Sequence, residues 1–173
     1  MAETRRSLLK KGLVGAGVLA LGGGGLALRR TKLAATTPAL KYFTPAEYAV
    51  WAAVAERFLP GGAGWPSAST VGVASAVDGV LTLADPQTQG DLHQLLGLFD
   101  SALASLLFDG RPTPFTQLGT EAQDAALEAW RTSRLVVRRS GYEAMRRLSM
   151  AVYYARPESW AGVGYPGPPV LAQ

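Results

Sequence analysis

The chain has 173 residues, with 17 Lys and Arg against 13 Asp and Glu, one histidine and no cysteine. Without thiols it can form no disulfide and offers no thiolate to zinc or an iron–sulfur cluster. The formal charge is +4, but eight of the cations lie at or before Lys41; past Thr36, Lys41 and nine arginines face twelve carboxylates, leaving the body near −2 and a nucleic-acid footprint unsupported.

Arg5 and Arg6 stand directly before Ser7-Leu8-Leu9-Lys10, and an uncharged run of Gly, Ala, Val and Leu follows from Gly12 to Leu28. A positive start followed by an apolar run is the pattern of a secretory signal. The string from Thr4 to Lys10 resembles the twin-arginine export motif, with Arg5, Arg6, Leu8, Leu9 and Lys10 as its signal residues. The pair is read through guanidinium geometry, which lysine lacks. The competing reading, a basic N-terminus before a surface helix, fits poorly with so much glycine. As a helix the apolar run would span about 25 Å, short of the roughly 30 Å hydrocarbon core. Ala27 and Ala34-Ala35 offer cleavage points, though neither makes a clean A-x-A site. Residues 1–35 are therefore expected to be a twin-arginine signal peptide or an N-terminal anchor. The location that follows is the periplasm, or the periplasmic side of the cytoplasmic membrane if the leader is retained.

The body reads as helices. Thr44 caps a helix that has Pro45 at its first position and Glu47 completing a capping box. Trp51, Val54, Ala55 and Phe58 fall at i, i+3, i+4 and i+7, and Pro60-Gly61-Gly62 stops the helix. "GGAGWPSAS" reads as a turn, since no strand precedes it and no GK[ST] follows. Val71 to Leu83 forms a short helix with Val73, Val77, Val80 and Leu81 on one side. Asp85-Pro86 starts a long helix to about Phe108, whose stripe is Leu92, Leu95, Leu96, Phe99, Leu103, Leu106 and Leu107. After "DGRPTPF", Thr120 and Gln123 suggest a second capping box, opening a helix through Leu127, Trp130 and Leu135. Ser140-Gly141 is expected to kink or divide it before Tyr142 to Tyr154. No strand alternation or repeat is visible. The expected fold is all-α, a small single-domain bundle of about five helices over residues 36–156.

Candidate chemistry is sparse. His93 lies within the long helix, and Asp91 beside it points elsewhere on a helix. There is no E-x-x-H pair, G-x-G-x-x-G, P-loop or G-x-S-x-G, so no catalytic, cofactor-binding or metal residue is expected. Arg131, Arg134, Arg138, Arg139, Arg146 and Arg147 read as a solvated helix face. The end of the chain, "YYARPESWAGVGYPGPPVLAQ", is different. Helix formation is expected to stop at Arg156-Pro157, leaving residues 157–173 as an extended docking tail. Trp160, Tyr165, Pro166 and Pro168 are its candidate partner-binding residues, because stiff aromatic segments dock at small entropic cost. The alternative is a tail folded over its own domain.

Three stretches together resemble the gluconate 2-dehydrogenase subunit 3 family: the leader at Arg5-Arg6, "FTPAEYAVWAAVAERFLP", and "YYARPESWAGVGYPGPP". The resemblance implies the small, non-catalytic subunit of a periplasmic flavin-dependent, GMC-type dehydrogenase acting on sugars or alcohols. FAD then resides in a large subunit without its own signal, and a cytochrome c subunit takes the electrons. The small subunit binds the large one and carries it, folded, through the twin-arginine translocation machinery. With no cysteine here, that attachment would be non-covalent. The competing expectations are an independent exported helical enzyme or ligand-binding domain, and a membrane-tethered structural protein.

Overall fold

Thr44 and Glu47 satisfy each other at the start of the first helix, as their spacing predicts. The Thr44 hydroxyl accepts the Glu47 N–H, and the Glu47 carboxylate accepts the Thr44 N–H at 2.8 Å. The computed structural model describes residues 31–34 and 37–168. The export-signal residues Arg5, Arg6, Leu8, Leu9 and Lys10 lie outside them. In chain order the helices are α1 (Pro45–Phe58), α2 (Ala68–Val71), α3 (Val73–Leu81), α4 (Pro86–Phe99), α5 (Ala102–Asp109), α6 (Thr120–Arg131), α7 (Val136–Tyr154) and α8 (Pro157–Trp160). Two 3₁₀ turns, Phe115–Gln117 and Ala161–Val163, complete the order. The fold is all-α, and the one extended pairing among the described residues is an isolated bridge between Gly62 and Trp65.

Helix α1 is central and packs against α2, α3, α4, α6 and α7. Its stripe of Val50, Trp51, Val54 and Ala55 is buried, and Phe43 just before the helix lies 5.6 Å from the Trp51 ring. The segment leading into α1 is held by a buried carboxylate. Asp78 of α3 accepts the backbone N–H groups of Lys41, Tyr42 and Phe43 at 2.7, 3.0 and 2.7 Å.

Several boundaries differ from the sequence expectations. The stretch from 71 to 83 is split by Gly72, whose left-handed φ of 73° closes α2 and opens α3. Val73, Val77 and Leu81 are buried as expected, while Val80 is exposed. The long helix from Pro86 is broken at Asp100-Ser101. There the Asp100 carboxylate accepts the Thr116 N–H at 2.9 Å and the Thr31 hydroxyl at 2.6 Å, and Ser101 caps α5. Such side chains compete with the helix for local backbone groups. The buried stripe therefore ends at Phe99, and Leu106 and Leu107 are exposed.

Helix α6 is capped by Gly119 rather than Thr120, and Gln123 donates to the Phe115 carbonyl instead of returning to the cap. The next division falls between Arg131 and Val136, and α7 runs unbroken through Ser140-Gly141. Gly141 is there for space: a Cβ would collide with Leu95 Cδ1 and come within 3.0 Å of the Trp130 ring. Arg138 is not solvated. It is buried, donates to both Asp109 oxygens at 2.8 and 3.0 Å, and lies over the Phe108 and Trp130 rings. Finally, the chain beyond Arg156 is not simply extended. Arg156 takes the β-region conformation that a following proline favours, and Pro157 then begins α8 from its first position. Among the described residues no helix is long and apolar enough to cross a membrane.

Candidate partner-docking site

Of the predicted docking residues, Trp160 and Tyr165 are brought together beyond the end of α7. Ser159 is buried and donates its hydroxyl to the carbonyls of Tyr153 and Arg156 at 2.9 and 2.8 Å. Trp160 is half-buried, its indole N–H bonded to the Tyr154 carbonyl at 2.9 Å. The Tyr165 ring meets Trp160 edge-on at 5.2 Å and remains 46% exposed. Gly162 lies under the Trp65 ring, where a Cβ would come within 2.6 Å. The first part of the tail is thus seated on its own domain, and Tyr165, Pro166 and Pro168 form its outward part.

His93 has a positional role. Its Nδ1 pairs with Glu47 Oε1 at 2.5 Å and its ring stacks on Tyr42 at 4.5 Å, so it ties α4 to α1. The Tyr42 hydroxyl donates to the Gln89 carbonyl at 2.6 Å; burial, then the Glu47 charge, hold its pKa above the usual phenol value. Asp91 is bonded to Gln87, away from the histidine. Among the described residues no three His, Asp or Glu side chains gather as metal ligands.

A second surface was not anticipated from the sequence. Between α4 and α7 runs an open trough of about 750 Å³. Its walls are Leu92, Leu95 and Leu98 on one side and Val137, Ala144 and Leu148 on the other, with Trp51 and Leu81 also in the lining. The signal available was that α4 carries leucines on more than one stripe: Leu92, Leu96 and Phe99 are buried, leaving Leu95 and Leu98 only half covered.

Along α7 the trough adjoins a basic shelf formed by Arg131, Arg139 and Arg147, which shares Ser140 and Ala144 with it. Arg131 pairs with Glu128 at 2.6 Å and Arg147 with Glu143 at 3.2 Å. Arg134, Arg139 and Arg146 have no ion-pair partner among the described residues.

The model of the family described as Gluconate 2-dehydrogenase subunit 3 matches residues 45–167, well over half of the chain. The chain belongs to the gluconate 2-dehydrogenase subunit 3 family. No curated protein and no solved structure matches it. The family match begins with α1 and takes in both surfaces described above, the trough and the outward tail as far as Gly167. As its description states, subunit 3 is one subunit of a dehydrogenase, and two surfaces with incomplete cover suit a chain that works beside others.

Proposed function

We propose that this chain is the non-catalytic small subunit of a periplasmic FAD-dependent, GMC-type sugar or alcohol dehydrogenase. It binds the large flavoprotein subunit and carries it, folded, through the twin-arginine pathway. The single observation that carries this reading is the family match over residues 45–167. It is supported by the Arg5-Arg6 leader, and by a lone histidine engaged in tying α4 to α1 through Glu47 and Tyr42. FAD resides in the large subunit, and a cytochrome c subunit accepts the electrons. The chain works in the periplasm, or on the periplasmic side of the membrane if the leader is kept. Trp160, Tyr165, Pro166 and Pro168 contribute to partner binding, since Tyr165 offers a ring with area to bury and a hydroxyl to pair.

The test is co-expression with the large subunit in a host that has the twin-arginine system. Replacing Arg5 and Arg6 by lysine should leave both proteins in the cytoplasm, folded and bound to each other. Normal periplasmic levels of either protein would sink the export role. The chain purified alone should show no flavin absorbance and no dye-linked dehydrogenase activity; a chromophore at near one per chain would instead make it an enzyme in its own right.

A further inference from the structure

We infer that the trough between α4 and α7 seats the flavoprotein subunit, which fills it with an apolar segment flanked by carboxylates. This rests on the accessory reading proposed above and gives that reading a surface. The trough is an uncovered continuation of the core. Leu95 rests against Gly141 at its base, and the small residues Ser140 and Ala144 keep the α7 wall low. From Val137, which is 54% exposed, the apolar surface extends to Val136 at 66%. Across the buried Arg138–Asp109 pair it reaches Phe108, itself 50% exposed and lying under the Arg138 guanidinium. That ion pair holds the end of α5 against the start of α7, so the apolar surface is presented on a braced frame.

Charge chooses the occupant. On the α7 side the adjoining shelf carries Arg131, Arg139 and Arg147; Arg139 has no ion-pair partner among the described residues, and Arg131 and Arg147 make only exposed pairs with Glu128 and Glu143. The one carboxylate in the described lining, Asp91, stands on the opposite wall and is already bonded to Gln87 at 2.8 Å. A partner with leucine-like side chains and a carboxylate edge answers both features. A second copy pairing α7 rim to α7 rim would set like charges against each other. The described part of the tail is engaged elsewhere, with Ser159 and Trp160 bonded to the Tyr153 and Tyr154 carbonyls and Gly162 against Trp65.

The experiment uses the full chain co-expressed with the flavin-bearing subunit of the same dehydrogenase. Affinity is measured on the purified pair through flavin absorbance. Ala144→Trp fills the trough from an exposed position, and the double variant Arg139→Glu with Arg147→Glu reverses the rim. Each should raise the dissociation constant about tenfold or more while the chain's own melting temperature stays unchanged. The charge variant should also flatten the salt dependence of binding. Should Ala144→Trp fail to fold, the surface arginine pair carries the test alone. Wild-type affinity in the folded variants, with binding lost in Tyr165→Ala, would overturn the trough and leave the accessory reading standing. A wild-type chain that binds no flavoprotein would overturn both. Sedimentation as a dimer that Ala144→Trp dissociates would make a second copy the occupant, and the inference wrong.

Discussion

The α1–α3 half and the α4–α7 face are built from similar residues and finish differently. Where α1 meets α3, Trp51, Val54, Val73 and Val77 are fully buried, and the Asp78 carboxylate closes the segment above them. Where α4 meets α7, Leu95 touches Gly141 and the rest stays open. Helix α7 does not need α4 to be stable, because it already packs against α1, α3 and α6. One half therefore carries the fold, and the other leaves apolar surface free for use.

The largest effect should come from breaking the closed half. Asp78→Ala strands three backbone N–H groups and should cost about 4 kcal/mol, read by urea unfolding. A loss under about 1 kcal/mol would mean that the carboxylate does not hold the 41–43 segment. The same group has a pH signature. Burial pushes the Asp78 carboxyl up, but the N–H donors of Phe43, Lys41 and Tyr42, with the Lys41 charge, bring it below the usual range. Its contribution is present above the ordinary carboxylate value of about 3.9 and is lost as pH falls through its lower folded value. Asp100 has the opposite sign, since burial outweighs its bonds to Thr31 and Thr116 and raises its pKa. Its contribution is greatest below the ordinary value and is lost as pH rises through the folded one. Asp78→Asn and Asp100→Asn should therefore change the pH–stability curve in opposite directions, which acid titration of the melting temperature would check.

Next in size is the brace at the edge of the open face. Arg138→Ala leaves the largely covered Asp109, its side chain 12% exposed, unpaired and should cost about 3 kcal/mol. Adding Asp109→Ala should return part of that loss, and full additivity in the double-mutant cycle would deny the coupling. Thr44→Ala removes one cap and should cost about 1 kcal/mol by thermal melting. Smallest of all, Val137→Ser on the trough wall should change stability by less than about 0.5 kcal/mol. A larger loss would make the trough part of the fold and erase the contrast between the two halves.

Read alone, the residues established what depends on near neighbours. The Thr44–Glu47 box, the Asp85-Pro86 start and the buried stripe of α1 all act within one or two turns, and each is where the sequence places it. The all-α class followed from those signals, and the family resemblance from the ends of the chain. The tail was legible as an aromatic segment, but its seating was not, because that needs Trp65 from a distant loop lying over Gly162. The other differences have the same cause. Asp100 breaks a helix because Thr116 and Thr31 reach it, and Arg138 is buried because Asp109, 29 residues earlier, answers its charge. Residue 141 is a glycine for packing rather than for a break, because Leu95 and Trp130 occupy the space a side chain would need. The trough is the extreme case, since it consists of the space two helices leave between them. Caps and stripes are written in adjacent residues; where α4 and α7 fail to close was decided only when the whole bundle had packed.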